Sequence, residues 1–259
     1  MSTISLQVRY QRHAPDEGEE YIEPNFRRAF LDWELKPAEA ALVMVDCWSI
    51  HPIATHQQRA AQICTDLIAP VAEACRRAGG RVVHAPSPGQ AKLYEQWMKY
   101  AGDAELFGGG GEPSEWPPAE FRDKEGDYAQ FARPTEPATK QWIDEELEHR
   151  RIIDCLEPQA GDFVVATGEQ LHRLCRHNGV VHLFYCGFAA NMCVPGRDYG
   201  MRAMQRRGYN VILLRDCTTA IEAGHTYEDL AITEASILEV EMTLGFTATA
   251  ADLIAACTA

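Results

Sequence analysis

The residue of this sequence best suited to nucleophilic chemistry is Cys193. It follows an apolar run, residues 180–185, whose β-branched and aromatic side chains are typical of a strand buried in a parallel sheet. Gly187 ends this strand, and Pro195 fits the first turn of a helix, which continues through Met201 and Met204. Cys193 is therefore predicted at the N-terminal end of a helix, where unpaired N–H groups and the helix dipole lower the pKa of a thiol. We expect a thiol that titrates near or below neutrality.

A carboxylate and several imidazoles follow other predicted strands. Residues 41–45 form an apolar run that ends at Asp46, with Trp48 and His51 just beyond it. A helical pattern over residues 57–78 then leads to a short strand that ends at His84. Ligands of an open parallel sheet bind beyond the carboxyl ends of its strands, so we expect these side chains to converge with Cys193.

A further buried strand, after Gly161, ends at Thr167. Glu169 and His172 lie three residues apart beyond it and share one helix face. They either act at the site or cap and decorate a short helix. An imidazole can serve as base or cation near neutral pH, and we expect at least one of His51, His84 and His172 to contact the substrate or the thiolate.

Alternation of predicted strands and helices indicates an α/β fold, a mainly parallel sheet covered by helices on both faces. The length of 259 residues suits one such domain, at residues 38–259. Residues 1–37 are polar and form either an arm that packs on the domain or on a neighbouring subunit, or a solvated extension. Residues 89–137 lack periodicity but contain many aromatic side chains, which favours a lid or substrate-shaping excursion over simple padding of the sheet.

The composition excludes several classes of protein. A net charge of −14 without a basic cluster opposes binding to nucleic acid. No apolar run approaches the ~20 residues of a membrane helix. The nine cysteines lack CxxC spacing and no signal segment precedes them, which predicts reduced thiols in a cytoplasmic protein. The glycine fingerprint of dinucleotide-dependent oxidoreductases is absent.

Three segments carry a resemblance to a known family. Residues 187–194, Gly-Phe-Ala-Ala-Asn-Met-Cys-Val, resemble the cysteine motif of the isochorismatase-like cysteine hydrolases, which include nicotinamidases and N-carbamoylsarcosine amidases. Residues 208–220 and 41–46 resemble two strands of the same family, and the similarity covers about residues 38–255. The resemblance implies a three-layer α/β/α fold with about six strands, and a homo-oligomer, either dimer or tetramer.

The resemblance also implies the roles of individual residues. Asp46 accepts the proton of the Cys193 nucleophile. Backbone N–H groups of Cys193 and Ala189 form the oxyanion hole, and the peptide bond between Phe188 and Ala189 is cis. Asn191 either orients this turn or caps the helix. Trp48 is a candidate for contact with a flat or apolar group of a small-molecule substrate.

The sequence departs from the family pattern at one catalytic position. Thr167 occupies the place of the usual lysine, and its hydroxyl offers a hydrogen bond but no positive charge. The spacing after Asp46 also does not reproduce the metal motif of some nicotinamidases, so we expect neither metal nor cofactor. The expected function is hydrolysis of an amide-type C–N bond through a Cys193 acyl-enzyme. The alternatives are a different reaction, or an altered or inactive member that binds a small ligand in the same pocket.

Overall fold

An eight-stranded sheet forms the centre of the protein in the computed structural model, which describes residues 3–98, 116–134 and 136–258. The strands are β1 (Ile4–Gln11), β2 (Arg28–Leu35), β3 (Ala40–Val45), β4 (Arg81–Ala85), β5 (Phe163–Val164), β6 (His182–Phe188), β7 (Asn210–Thr219) and β8 (Phe246–Ala248). Their order across the sheet is β2-β1-β8-β7-β6-β3-β4-β5. From β8 to β5 every neighbouring pair is parallel, whereas β1 pairs antiparallel with both β2 and β8.

Helices cover both faces of the sheet. The α-helices are α1 (Ala54–Ile63), α2 (Ala69–Ala78), α3 (Pro88–Ala91), α4 (Ala119–Asp123), α5 (Pro137–Glu145), α6 (Gly168–Asn178), α7 (Cys193–Gly196), α8 (Met201–Arg206), α9 (Ala231–Glu239) and α10 (Ala250–Thr258). A π-helical turn, Cys64–Ile68, joins α1 to α2, and another, Val240–Leu244, extends α9. The expected three-layer α/β/α architecture is confirmed.

The alternation of side chains along each strand divides the core into two halves. Leu42 and Met44 of β3 face a layer that contains α2 and α10, while Val43 and Val45 face a layer that contains α6, α8 and α9. Successive side chains of a strand point to opposite faces, so a strand buried on both sides must be apolar at every position. All six residues of β3 are buried, which explains its unbroken apolar sequence.

The N-terminal residues contribute the two strands beyond the six that were expected. β1 and β2 form a hairpin, and β1 joins the sheet beside β8 at Arg9 and Thr247. β8 therefore lies inside the sheet, between β1 and β7, and not at its edge. The expectation of six strands describes β3–β8, and the period-2 burial of Ile4, Leu6 and Val8 was not recognised in the sequence. Residues 4–11 and 28–35 are part of the domain and not a solvated extension.

The excursion predicted at residues 89–137 forms short helices where the structure describes it. α3 and α4 lie within it, together with 3-10 turns at Glu95–Met98 and Gly126–Phe131. Residues 99–115 and 135 lie outside the described residues, and the predicted lid role remains a prediction. Within the described ranges no helix is long and apolar enough to cross a bilayer.

Successive strands are added to the sheet on opposite sides of β3, so the strand order reverses between β3 and β6. From β3 the next strands, β4 and β5, add on one side, and β6, β7 and β8 then add on the other. In open α/β sheets such a switch point leaves a crevice beyond the carboxyl ends of the two central strands. The loops after β3, β4 and β6 all begin at this edge.

A buried carboxylate holds the N-terminal hairpin on the sheet. Glu241 has no exposed side-chain surface and accepts hydrogen bonds from Arg9 Nε at 2.6 Å and Arg28 Nε at 2.9 Å. Thr247 Oγ1 donates to the same carboxylate at 2.7 Å. Two arginines from two strands therefore converge on one buried acid of the π-helical turn.

We expect Glu241→Gln to lower the free energy of unfolding by about 2–3 kcal/mol, because the two arginines lose their shared charge partner. Urea denaturation measures this change. The matched control is Glu239→Gln, since Glu239 pairs with Arg202 at 2.7 Å on the exposed surface, where a pair contributes about 0.5 kcal/mol. Equal effects of the two substitutions would contradict the anchoring role of Glu241.

Candidate active site

Asp46 is fully buried at the carboxyl end of β3, with its backbone in the left-handed region at φ 47°. Ser87 Oγ donates to Asp46 Oδ1 at 2.8 Å. Arg197 donates to Asp46 Oδ2 from Nε at 3.3 Å and from Nη2 at 3.0 Å, and its Nη2 also donates to Ser87 Oγ at 3.0 Å. A buried carboxylate requires such charged and hydrogen-bonding partners, and the loops after β4 and β6 supply them.

Arg197 reaches Asp46 because the helix after Cys193 is broken. α7 ends at Gly196, and Arg197 leaves it in an extended conformation with ψ 160°. α8 begins only at Met201. The turn depends on Gly200, at which a Cβ atom would lie 2.8 Å from the Val194 carbonyl oxygen and 2.9 Å from the Arg197 carbonyl oxygen. The expectation of one helix from Pro195 through Met204 is therefore wrong, and the break places a guanidinium beside the buried acid.

The two residues after Arg197 fasten this turn to the rest of the site. Asp198 Oδ2 accepts the Gly168 N–H at 2.7 Å, and Tyr199 Oη donates to the Pro86 carbonyl at 2.9 Å. Backbone contact at Gly168 is close enough that a Cβ atom there would lie 2.0 Å from the Asp198 carbonyl oxygen. The turn is thus held by the loop after β4 and by the start of α6.

Thr167 has a different environment from the predicted catalytic one. It is the N-cap of α6, where its hydroxyl accepts the Gln170 N–H at 3.2 Å, and the Gln170 side chain accepts the Thr167 N–H at 3.2 Å. This reciprocal pair is a capping box. Among the described residues, Thr167 forms no hydrogen bond with Asp46 or Cys193. The position expected to carry a lysine therefore serves to begin a helix.

Cys193 is partly buried at the first residue of α7. Burial and the neighbouring Asp46 raise the pKa of its thiol to about 11, although Arg197 and a hydrogen bond from the Ala189 backbone act in the opposite direction. This direction is opposite to the lowered pKa expected from a helix N-terminus. α7 is only four residues long, and the carboxylate opposes ionisation of the thiol.

The turn between β6 and α7 has the predicted geometry at one bond, since the Phe188–Ala189 peptide is cis. The Ala189 N–H is directed at the Cys193 sulfur. Asn191 Oδ1 accepts the Ile221 N–H at 3.2 Å, and Asn191 Nδ2 donates to the Ile221 carbonyl at 3.4 Å. Of the two roles left open for Asn191, the structure places it in orienting the turn, because Met192 is the N-cap of α7.

An aromatic wall stands beside Asp46, formed by Trp48, His51, His56 and Phe188. The His51 ring stacks on Trp48 with a centroid distance of 5.0 Å and lies 4.9 Å from His56. His56 is buried and lies 6.0 Å from Phe188. Burial, followed by the charges of His51 and Arg59, lowers the pKa of His56 to about 4, so its ring is neutral at pH 7. The wall therefore combines apolar surface with neutral imidazoles.

His84 does not face the thiol. Its Nε2 hydrogen-bonds Asp162 Oδ2 at 2.9 Å, and Arg76 donates to both oxygens of Asp162 at 2.9 and 2.7 Å. Desolvation raises the pKa of Asp162, but His84 and Arg76 outweigh it and hold that pKa well below its ordinary value. This buried network links β4, α2 and the loop before β5, so His84 stabilises the packing of these elements.

Glu169 and His172 also have partners away from Cys193. Glu169 pairs with Arg173 at 3.2 Å and with Arg207 at 3.0 Å on the surface of α6. His172 Nδ1 hydrogen-bonds Tyr209 Oη at 2.8 Å, next to the amino end of β7. The amino ends of the strands lie at the opposite edge of the sheet from Asp46. Glu169 and His172 therefore lie on the surface of α6 with partners of their own, which agrees with the interpretation that they belong to the helix and not to the site.

A cavity of about 600 Å³ opens beside the aromatic wall. It lies between α5 and the loops that follow β3 and β7, and it is lined by His51, Pro52, Ile53, Ala138, Thr139, Gln141, Trp142, Glu145, Glu146 and Ile221. His51 contacts Trp48, and Ile221 is hydrogen-bonded to Asn191, so the cavity adjoins the Cys193 turn. Its size suits a small molecule.

Sequence reasoning missed Ser87, Arg197 and Arg150 at this site. Ser87 was identifiable, because it follows the carboxyl end of β4 directly after Pro86. Arg197 is four residues after Cys193, but a continuous helix gave no reason to direct it at Asp46. Arg150 follows a 3-10 turn, Leu147–His149, and belongs to no periodic pattern. Its Cζ lies 5.8 Å from the Trp48 ring centroid, at the aromatic wall.

We expect Asp46→Asn to lower the pH at which Cys193 is half-maximally alkylated by iodoacetamide, because the charge and hydrogen bond that hold the proton on sulfur are removed. In the wild-type protein we expect this midpoint well above neutrality, because burial and Asp46 raise the pKa of the thiol. Arg197→Gln raises it further, since the positive charge that favours the thiolate is lost. Rates measured at each pH, with the Cys193 peptide resolved by mass spectrometry and exposed Cys155 as internal control, test both signs. An upward shift in Asp46→Asn contradicts the assignment.

We expect Thr167→Ala to lower the free energy of unfolding by about 1 kcal/mol, the usual cost of losing an N-cap side chain. Urea denaturation measures the loss, and Thr167→Ser, which keeps the hydroxyl, is the matched control. Alkylation of Cys193 should not change in either variant. A tenfold change in that rate for Thr167→Ala would instead give Thr167 a part in the chemistry.

Comparison with known proteins agrees with this geometry. The family model of the isochorismatase domain matches residues 40–243. The chain is 33% identical over 108 residues to the ureidoacrylate amidohydrolase RutB of Azorhizobium caulinodans, a match that covers 39% of this chain and less than half, 44%, of that relative. A cysteine hydrolase from Pseudomonas syringae pv. phaseolicola superposes with a TM-score of 0.55 and 17% identity, over 87% of this chain and 95% of that one.

An isochorismatase family protein from Burkholderia thailandensis superposes with a TM-score of 0.51 and 18% identity, over 86% of this chain and 97% of that one. At these identities the two structures show a shared fold. The family model spans most of the chain, including β3 with Asp46 and the β6–α7 turn with Cys193. The chain belongs to the isochorismatase family of hydrolases.

Proposed function

We propose that this protein hydrolyses an amide-type C–N bond of a small molecule, with Cys193 as nucleophile and Asp46 as base. The observation that carries the proposal is the grouping of Cys193, Asp46 and Arg197 at the switch point of the sheet. A thiol, a buried carboxylate that can take its proton, and a cation next to both are the groups that acyl transfer through cysteine requires.

The high pKa of the thiol determines how the first step proceeds. A thiol with a pKa of about 11 is almost entirely protonated at pH 7, so a preformed thiolate is rare. Proton transfer to Asp46 therefore accompanies attack of the Cys193 sulfur on the acyl carbon. The bond between sulfur and carbon forms as the C=O π pair moves onto oxygen, and the Ala189 and Cys193 N–H groups hold the resulting oxyanion.

Asp46 returns the proton in the next step. Collapse of the tetrahedral intermediate breaks the C–N bond, and the proton on Asp46 moves to the departing nitrogen, which leaves as a neutral amine or ammonia. Water then attacks the thioester and gives its proton to Asp46. When the C–S bond breaks, the sulfur recovers this proton and the acyl group leaves as an acid.

Arg197 supplies the positive charge that the family pattern assigns to a lysine. Burial opposes its ionisation, but the charge of Asp46 and the hydrogen bonds to it outweigh burial and raise the pKa of Arg197, so the guanidinium stays charged. It donates two hydrogen bonds to Asp46 and faces the charge that develops on sulfur and oxygen. A missing lysine is therefore compatible with an active enzyme, which favours catalysis over the alternative of a binding protein.

The name of the relative from Azorhizobium supports the reaction class. That protein is an amidohydrolase, and the chain shares 33% identity with it over 108 residues. We extend the class of reaction, hydrolysis of a C–N bond, to this chain as a proposal. A homo-oligomer is proposed with it, on the resemblance alone.

We expect a panel of primary amides and N-carbamoyl compounds to contain a substrate, detected by release of ammonia. Cys193→Ala should abolish turnover, Asp46→Asn should lower kcat/KM by about 1000-fold, and Arg197→Gln should lower it by about 100-fold with partial recovery in Arg197→Lys. Intact mass spectrometry of the rapidly quenched reaction should show the acyl group on Cys193. The control is Cys155→Ala, which removes an exposed thiol elsewhere.

Two results would overturn the proposal. Turnover that survives Cys193→Ala would remove the acyl-enzyme. The second result has two parts: amides bind saturably without release of ammonia, and the pH dependence of Cys193 alkylation is the same in wild type, Asp46→Asn and Arg197→Gln. Together these would establish the binding protein instead.

A further inference from the structure

Within the described parts of the chain, Arg150 at the edge of the active site has no anionic partner. Its guanidinium lies between two indole rings, with Cζ 5.8 Å from the Trp48 centroid and 5.3 Å from the Trp142 centroid. Its Nε is buried without a hydrogen-bond partner. Among the described residues no carboxylate lies within ion-pair distance of Arg150, although glutamates are frequent on α5 and the turn after it.

The segment that carries Arg150 is tied to the loop that carries Asp46. Ser49 and Arg151 exchange hydrogen bonds, from the Ser49 N–H to the Arg151 carbonyl at 2.8 Å and from the Arg151 N–H to Ser49 Oγ at 3.0 Å. The Ile153 N–H donates to the Cys47 carbonyl at 3.0 Å, and Trp48 and Ile152 form a β-bridge. This ladder fixes residues 151–153, directly after Arg150, against residues 47–49, directly after Asp46.

Around Cys193, Arg150 and Arg197 exceed the one neighbouring carboxylate, Asp46, by one positive charge, while Glu145 and Glu146, which also line the cavity, form no ion pair with Arg150 among the described residues. Desolvation lowers the pKa of Arg150, the charges of Asp46 and Cys193 raise it, and that of Arg197 lowers it further, so these groups lie within electrostatic range. Asp46 is already neutralised by Arg197. In a protein with a net charge of −14, this local positive excess marks a place where an anion is favoured.

A second unpartnered donor stands beside Arg150. Trp48 is more than nine-tenths buried, and its Nε1–H has no hydrogen-bond acceptor in the part of the chain that the structure describes. Guanidinium and indole nitrogen groups only donate, so their complement is a group that only accepts. A carboxylate accepts through two coplanar oxygens and matches the planar fork of an arginine.

We propose that the substrate carries a carboxylate besides its scissile acyl group, and that Arg150 binds this carboxylate together with Trp48 Nε1–H. The inference rests on the proposed function, because it names the substrate class for the same Cys193 site. Cation–π contacts with Trp48 and Trp142 hold the guanidinium in place, and His51, which stacks on Trp48, continues the surface into the cavity. Arg150 is thus a specificity residue, separate from the proton transfers at Asp46.

Alkylating reagents that differ only in charge test this inference without any need for turnover. Iodoacetate and 3-iodopropionate carry a carboxylate, while iodoacetamide and 3-iodopropionamide are their neutral counterparts. The readout is the ratio of the rate constants of each acid and its amide at Cys193, normalised to the same ratio at exposed Cys155. In the wild-type protein we expect this normalised ratio to be at least ten for one of the two pairs of reagents, the acetate pair or the propionate pair.

The variant and its controls isolate the charge of Arg150. Arg150→Gln should reduce the normalised ratio about tenfold, and Arg150→Lys should retain part of it. Arg206→Gln makes the same change in net charge on the exposed end of α8, near the opposite edge of the sheet, and should leave the ratio unchanged. Thermal unfolding of each variant shows that it is folded under the conditions of the assay.

The possible outcomes separate this inference from the proposed function. A ratio that is equal in wild type and Arg150→Gln overturns the carboxylate subsite, even if Cys193 responds to Asp46 and Arg197. A ratio that falls in Arg150→Gln supports the subsite, even if no amide is hydrolysed. Once a substrate is found, the KM of a carboxylate-bearing amide should rise at least tenfold in Arg150→Gln while that of its carboxamide analogue stays within twofold.

Discussion

The buried ion pair between Asp46 and Arg197 is the constraint on which the rest of the site depends. Asp46 has no exposed surface, and leaving such a carboxylate unpaired costs several kcal/mol. The guanidinium that pairs with it must therefore be held in place by the fold. Arg197 can reach it only because the chain leaves α7 after four residues and turns at Gly200. One electrostatic requirement thus decides the course of the backbone beyond the nucleophile.

The same turn explains why a threonine can occupy the position at which relatives are expected to carry a lysine. The residues after Arg197 attach to the start of α6, where Asp198 accepts the Gly168 N–H and Thr167 caps the helix. In the proposed reaction the positive charge beside the thiol comes from Arg197, in the loop after β6. The function of a catalytic cation depends on where its charge lies, and less on which segment of the chain supplies it.

The proposed chemistry and the proposed recognition of the substrate involve two different parts of the structure. Asp46, Ser87, Cys193 and Arg197 lie on the carboxyl ends of central strands, where the packed sheet fixes their positions. Arg150 and Trp142 belong to the segment of α5 and the residues after it, which lies across the cavity from the strand ends. A family with one reaction site can vary its substrates by altering this second part alone, because its residues take no part in the proton transfers.

The sequence alone determined the α/β architecture, the strand that ends at Asp46, and the turn that bears Cys193, because each depends on local periodicity or a short contiguous motif. Hydrophobic runs report burial on both faces of a sheet, and this information is present in neighbouring residues. Only the tertiary structure decided that Thr167 caps a helix and that His84 forms a hydrogen bond with Asp162, which also pairs with Arg76. It also decided that Arg197 and Arg150 reach the site. These assignments depend on contacts between residues far apart in the chain, and polar side chains without a periodic pattern give no local sign of their partners. The pKa of Cys193 also depends on the tertiary structure, because burial of the thiol, followed by the charge of Asp46, raises it, and burial is set by the packing of the whole domain.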